Sequence, residues 1–146
     1  MDNVYEESKL AFQPDKLKSF AEGKITAPIC VRVKPTNHCN HHCFYCSYDE
    51  DNKRSTMNRT SSIPLEKMRE ILDDFKEIGV KAVTFSGGGE PLTYPHIEET
   101  MEKVLESGID LSIITNGQLL KEKKAEILSK AKWVRISLDS SDAKTF

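Results

Sequence analysis

Three cysteines stand within eight residues, in the run Cys39-Asn-His-His-Cys43-Phe-Tyr-Cys46. A loop of that length can curl so that all three thiolates face one metal centre. Iron–sulfur clusters are held by cysteine thiolates, commonly by four. Three ligands on a cubane leave one iron open, and an open iron can take a small molecule through an amine and a carboxylate. A zinc site is a rival reading, with Cys39, Cys43 and Cys46 joined by His38, His41 or His42 as a Cys₃His set. Against it, the spacing is tighter than that of paired zinc knuckles. The plainest alternative is three bare thiols in a surface loop, against which stands the reactivity of exposed reduced cysteine.

A second group lies at Gly87-Gly88-Gly89-Glu90-Pro91. Glycines let a backbone approach a ligand without interference from Cβ atoms. Their carbonyls can accept from an ammonium group, and the Glu90 carboxylate can support it. The same run also reads as a tight turn between a strand and a helix, with Pro91 opening the helix. Two smaller groups follow, Thr115-Asn116-Gly117 and Ser137-Leu138-Asp139. Asn-Gly is an ordinary turn pair and Ser or Asp an ordinary helix cap, so each has a purely structural reading too.

These groups need elements to position them, and the chain supplies an alternation. Residues 28–35 alternate apolar and polar and read as a strand, with Ile29, Val31 and Val33 on one face and Cys30, Arg32 and Lys34 on the other. Pro64 opens a helix whose stripe is Leu65, Met68, Ile71, Leu72, Phe75 and Ile78, closed by Gly79. Strands are expected over 80–86, 109–115 and 132–138, and further helices over about 95–107 and 119–130. The repeat is one of strand and helix, so the expected fold class is α/β: a parallel (βα) repeat with right-handed crossovers, a partial TIM-like barrel of about four βα units. In such folds ligands bind beyond the carboxyl ends of the strands, where all four groups fall.

Other residues read as structure. A short helix is expected from Pro14 to Gly23, with Leu17, Phe20 and Ala21 inward. Cys30 and Trp133 read as core, and His96 and the run Lys121–Lys124 as surface. Arg32 and Lys34 point toward the site if the sheet curves, and otherwise into solvent. The polar stretch 47–62 reads as a mobile surface loop. The division is a lead-in over 1–27 and a core over 28–146.

The 146 residues are 38% hydrophobic and 30% charged, which suits one domain with a real core. A net charge of −2 leaves no footprint for nucleic acid or a membrane surface. No apolar run approaches the roughly eighteen residues that a membrane helix needs. The first residues are acidic and do not read as a secretory signal, so a cytoplasmic location is expected. Thiols stay reduced there, which favours metal ligands or core thiols over disulfides.

Cys-x₃-Cys-x₂-Cys, with the aromatic Tyr45 before its last cysteine and a strand before its first, resembles the signature loop of the radical S-adenosylmethionine (SAM) superfamily. The Gly-Gly-Glu of residues 88–90 resembles that family's motif at the end of the second strand. The resemblance covers residues 28–146. It implies a [4Fe–4S] cluster on Cys39, Cys43 and Cys46, whose fourth iron chelates the amine and carboxylate of SAM. It implies that Gly88, Gly89 and Glu90 bind the SAM amino group. Ser137 first, then Asn116 and Asp139, are implied as contacts to its carboxylate and ribose. An enzyme follows, which generates a 5′-deoxyadenosyl radical that takes hydrogen from a substrate, with an electron donor such as flavodoxin or ferredoxin. Substrate and catalytic acid or base stay open, a peptide or a small molecule alike. The Lys-Pro-Thr before the cysteines and the Ser-Leu-Asp resemble the branch with peptide-modifying members, although the accessory cysteines of that branch are absent here.

The family core has six βα units, and four are counted in this chain. An open four-stranded sheet leaves an unpaired edge, so a missing C-terminal half or a partner chain is expected. Two other functions compete: a non-catalytic iron–sulfur module for binding or electron transfer, and a zinc-binding protein.

Overall fold

The structure is a computed structural model and describes residues 13–48 and 57–140. Its elements run α1 (Pro14–Ala21), β1 (Cys30–Val33), α2 (Leu65–Ile78), β2 (Ala82–Phe85), a 3₁₀ turn (Pro91–Thr93), α3 (Ile97–Glu106), β3 (Asp110–Thr115), α4 (Glu122–Leu128) and β4 (Trp133–Ile136). The four strands form one sheet in the order β1-β2-β3-β4, all parallel. This is the expected (βα) repeat. The helices and strands are shorter than the sequence suggests because the chain turns into loops that carry the polar groups.

One side of the sheet holds the core. Val33, Val83, Phe85, Leu111 and Ile113 alternate onto that side and are buried against Met68 and Leu72 of α2 and Ile97, Met101 and Val104 of α3. Each such side chain contributes about 1.5–3 kcal/mol when fully buried. Helix ends set where the strands begin. At Gly79 (φ 84°) the chain takes a left-handed turn, its N–H reaches the carbonyl of Lys76 at 3.2 Å and that of Val80 reaches Phe75 at 2.9 Å. This closing motif favours glycine, since a side chain is strained at that φ. It hands the chain straight to β2.

Several expectations need correction. Ile78, placed on the apolar stripe of α2, is exposed, because the chain is already turning at Gly79. Helix α1 forms but buries no residue; Leu17, Phe20 and Ala21 are all exposed, and Lys16 ties the helix down by donating to Thr26 Oγ1 at 2.8 Å and to the Ala27 carbonyl at 2.5 Å. Cys30 is exposed, its Sγ 3.5 Å from Thr84 Oγ1, and Trp133 is 43% exposed. Both stand on edge strands, β1 and β4, where no neighbouring strand covers them. Lys124 is half-buried and donates to the Leu92 carbonyl at 3.0 Å instead of lying in solvent. His96 is exposed at the start of α3, as expected.

The polar stretch 47–62 is also more structured than its composition suggests where it is described. Residues 58–63 run antiparallel beside 35–37: Asn37 N–H reaches the Ser61 carbonyl at 2.8 Å, Ile63 N–H reaches Pro35 at 2.9 Å, and the Thr36 and Ser62 hydroxyls pair at 2.7 Å. Residues 49–56 of that stretch, like the first twelve residues of the expected lead-in over 1–27, lie outside the described residues.

Candidate active site

The cysteine loop leaves β1 through Pro35 and Thr36. Thr36 is buried, and its hydroxyl accepts the N–H of His38 at 3.1 Å, which starts the loop's first turn. Cys46 N–H closes a second turn on the Cys43 carbonyl at 2.8 Å, bringing those thiols to the same part of the loop. Burial pushes the Cys39 thiol above its ordinary range, opposed by the His41 N–H 3.4 Å from its sulfur and by the Arg59 guanidinium. Arg59 reaches across from the 58–63 segment, donating to the His41 carbonyl at 3.2 Å and lying 3.3 Å from His42 Nδ1. Tyr45 bonds to Asp139, and that carboxylate holds the phenol far above its usual range. The Cys43 sulfur lies 3.8 Å from Asp139 Oδ2.

The glycine run packs under this loop. Gly89 N–H reaches the Thr36 carbonyl at 3.1 Å, and Glu90 N–H reaches that of His38 at 2.9 Å. A Cβ on Gly89 would collide with the His38 carbonyl, and one on Gly88 would lie 2.6 Å from Asn37 Oδ1 and 2.7 Å from Met57 Sδ. Gly89 is therefore required by the approach of the cysteine loop's backbone itself, whereas Gly88 faces only side chains that can turn aside.

Glu90 is 4% exposed, and all its contacts are internal. Its Oε1 accepts from the Leu92 N–H at 3.0 Å and the Thr115 hydroxyl at 2.6 Å; its Oε2 accepts from the Asn116 N–H at 2.7 Å. One carboxylate thus binds the end of β3 to the loop after β2. Asn116 continues the tie: its amide donates to Asn40 Oδ1 at 2.8 Å, its Oδ1 accepts the Gln118 N–H at 3.0 Å, and Asn40 donates to the Gln118 side chain. The chain of amides joins the cysteine loop to the third strand's end. Ser137 follows β4, its N–H on the Thr115 carbonyl at 2.8 Å.

All nine residues expected at the site line a single cavity of about 220 Å³: the three cysteines, Gly88, Gly89, Glu90, Asn116, Ser137 and Asp139. Arg59, Tyr48, His41 and Thr115 line it as well; Arg59 and Tyr48 were not anticipated, and His41 was named only for the rival zinc set. Thr115 sat beside Asn116 in a group already singled out. Arg59 had no signal, since nothing in its local sequence shows that residues 58–63 fold back onto the cysteine loop. All four cysteines are free thiols. Among the described residues, no three His, Cys, Asp or Glu side chains surround one point as a single metal ion requires. A cubane makes a different demand, one thiolate on each of three separate irons.

Comparison with known proteins identifies the family and the fold. The family model described as the Radical SAM superfamily matches residues 33–145. A GTP 3′,8-cyclase of Campylobacter fetus is 36% identical over 116 residues, 77% of this chain and 35% of that protein. A PqqA peptide cyclase of Streptomyces rochei is 28% identical over 123 residues, 84% of this chain and 32% of that protein. Among solved structures, Streptococcus suis SuiB bound to S-adenosylmethionine superposes with a TM-score of 0.68 at 26% identity, over 98% of this chain and 33% of that one. The chain thus spans about a third of the length of the relatives it matches. Among the described residues, no helix is long and apolar enough to cross a membrane.

Proposed function

The chain belongs to the radical SAM superfamily, and from that premise we propose that its cavity holds a [4Fe–4S] cluster and SAM as the N-terminal part of a radical-generating enzyme. The observation that carries the reading is the convergence of three free thiols and the Glu90-braced glycine run on one cavity. The donor set suits the group: soft sulfur ligands on one wall, backbone carbonyls and polar side chains on the other. Bound there, the cluster and SAM would supply one-electron radical chemistry for hydrogen-atom removal from a substrate, with the electron drawn from an external donor such as flavodoxin or ferredoxin.

Cys39, Cys43 and Cys46 would ligate three irons. The backbone of Gly88 and Gly89 would accept from the SAM ammonium. Ser137, Asn116 and Asp139 would face its carboxylate and ribose. Glu90 serves mainly as a positioning residue, since its oxygens are engaged by Leu92, Thr115 and Asn116. Arg59 neutralises part of the charge that three thiolates bring into the loop. Residues 28–146 form the N-terminal portion of the core, with 1–27 as a lead-in. The relatives act on GTP and on a peptide by their names, so both a small molecule and a peptide stand as substrate classes.

Anaerobic reconstitution with iron and sulfide tests the reading. The expected product is a brown protein with about four irons per chain that binds SAM and, under dithionite, releases 5′-deoxyadenosine and methionine. A brown protein that does not bind SAM would leave a non-catalytic cluster module. A colourless protein holding one zinc would overturn the proposal.

A further inference from the structure

The cavity that gathers the cysteines sets little positive charge against much negative. Glu90 and Asp139 line it, together with three thiols that must lose their protons to ligate iron. Among the described residues, Arg59 is the only lysine or arginine on its wall. That guanidinium is held in place from both sides. Its Nη2 donates to the His41 carbonyl at 3.2 Å, and its Nη1 lies 3.3 Å from His42 Nδ1. His41 in turn directs its N–H to the Cys39 sulfur, 3.4 Å away. The backbone around Arg59 is pinned as well. Asn37 donates to the Asn58 carbonyl at 2.9 Å, and Asn58 Oδ1 accepts the Thr60 N–H at 2.9 Å and the Thr60 hydroxyl at 2.7 Å. Arg59 is half-buried, although arginine is mostly an exposed residue.

We propose that Arg59 raises the reduction potential of the cluster on Cys39, Cys43 and Cys46 by holding a fixed positive charge beside the Cys39 turn. The inference rests on the proposed function for the presence of the cluster. Reduction adds one electron, and so one negative charge, to a site that already holds three thiolates and two carboxylates. Net charge and hydrogen bonds to sulfur are among the determinants of such potentials. A permanent cation favours the state with the extra negative charge, and partial burial limits its screening by water and salt. The same cation opposes the burial that pushes the Cys39 thiol up, so it already stabilises negative charge on that sulfur. A second contribution is positional. By gripping the His41 carbonyl, Arg59 keeps the His41 N–H on the Cys39 sulfur. Arginine suits both tasks, since it is always charged and donates in a rigid fork. A clamp with no electrostatic role would need the hydrogen bond to His41 and not the charge.

The test is a redox titration of the anaerobically reconstituted chain with dithionite and mediators, followed by electron paramagnetic resonance of the reduced cluster. The parent is compared with Arg59→Gln, Arg59→Lys and Arg69→Gln, and iron per chain is determined for each. Arg69 pairs with Glu66 and Glu99 and does not line the cavity, so its variant removes the same charge from another part of the molecule. At a fixed potential, Arg59→Gln should cut the ratio of reduced to oxidised cluster by about tenfold or more, a fall of about 59 mV for a one-electron couple. Arg59→Lys keeps the charge and should fall less, and Arg69→Gln should titrate with the parent. Arg59→Gln titrating with the parent would overturn the inference. So would equal falls in Arg59→Gln and Arg59→Lys, or a fall in Arg69→Gln as large as that in Arg59→Gln. If Arg59→Gln takes up too little iron to titrate, Asn58→Ala decides, since it keeps the charge and frees the segment that carries it: a lower potential supports the inference and a parent-like one overturns it. SAM binding is measured separately by equilibrium dialysis. A parent that holds cluster and SAM at a potential indifferent to Arg59 sinks this inference alone. A potential set by Arg59 in a chain that does not bind SAM leaves it standing and sinks the proposed function. A parent that takes up no cluster ends both.

Discussion

The two faces of the sheet obey different rules although the same strands build both. On the helix-covered face the strands carry apolar side chains except at Thr115, and Val83, Phe85 and Ile113 are fully buried. On the open face the same strands present Arg32, Thr84, Ser112 and Arg135, and the loops at their carboxyl ends carry the cysteines and glycines. Alternation of side chains along a strand makes this division possible. The covered face sets stability, and the open face and its rim are free to set chemistry. The division can be tested by changing each side separately and asking whether the effects stay apart.

The largest separation is expected at the rim. Replacing Cys39, Cys43 and Cys46 together with alanine should reduce iron after reconstitution to background, while the melting temperature of the metal-free chain moves little. None of the three thiols belongs to the apolar core. Iron analysis and the visible absorption of the reconstituted protein give the first result, and a thermal melt gives the second. A large loss of stability in the metal-free variant would show that the loop is part of the core after all.

On the covered face the effect should reverse. Phe85→Ala removes a fully buried ring from β2, between α2 and α3. Phenylalanine truncations in cores cost about 3–5 kcal/mol. Urea unfolding of the metal-free chain measures it. A cost below about 1 kcal/mol would mean that the face is loosely packed and that its distinction from the open face is overstated.

How much of this was legible beforehand follows from the distance over which each feature is determined. The helices, strands and their parallel order came from periodicity and from terminal glycines such as Gly79, which act within a turn or two. The cysteine loop and Gly88-Gly89-Glu90 were legible because unusual residue types are concentrated there. Cys30 and Trp133 were misplaced because alternation tells which residues share a face, not which strands will stand at the edges of the sheet, and β4 is exposed on both faces. Arg59 was missed because its role depends on residues 58–63 folding back beside 35–37, an antiparallel pairing that composition does not encode. Glu90 was placed at the site correctly, but its three internal donors come from loops after different strands, and only the folded chain brings them together.

Glu90 sits where the two faces meet, so its variant should affect both. In Glu90→Gln the side-chain amide must turn one N–H group toward the Asn116 N–H or toward Leu92 and Thr115. A buried donor facing a donor costs about 1–3 kcal/mol. Urea unfolding should register that cost, and the link between β3 and the glycine run should loosen, lowering SAM affinity in the same variant. Unchanged stability with reduced SAM binding would move Glu90 from positioning residue to direct ligand contact.

The smallest effect is expected at Tyr94, which joins the 3₁₀ turn to the 58–63 segment. Its ring is 2% exposed, and its hydroxyl donates to the Ile63 carbonyl at 2.7 Å. Tyr94→Phe keeps the ring and removes one hydrogen bond, for a loss of about 1 kcal/mol. The pH dependence gives an independent check. Burial holds the Tyr94 phenol above its ordinary value of 10.0, so the folded state keeps the proton longer than the unfolded state does. This contribution to stability is complete below the unfolded value and is lost as pH rises from there through the folded value. Stability of the parent chain should therefore fall more steeply above pH 10 than that of Tyr94→Phe. Parallel curves would show that the phenol ionises freely, and that the 58–63 segment opens more readily than its hydrogen bonds imply.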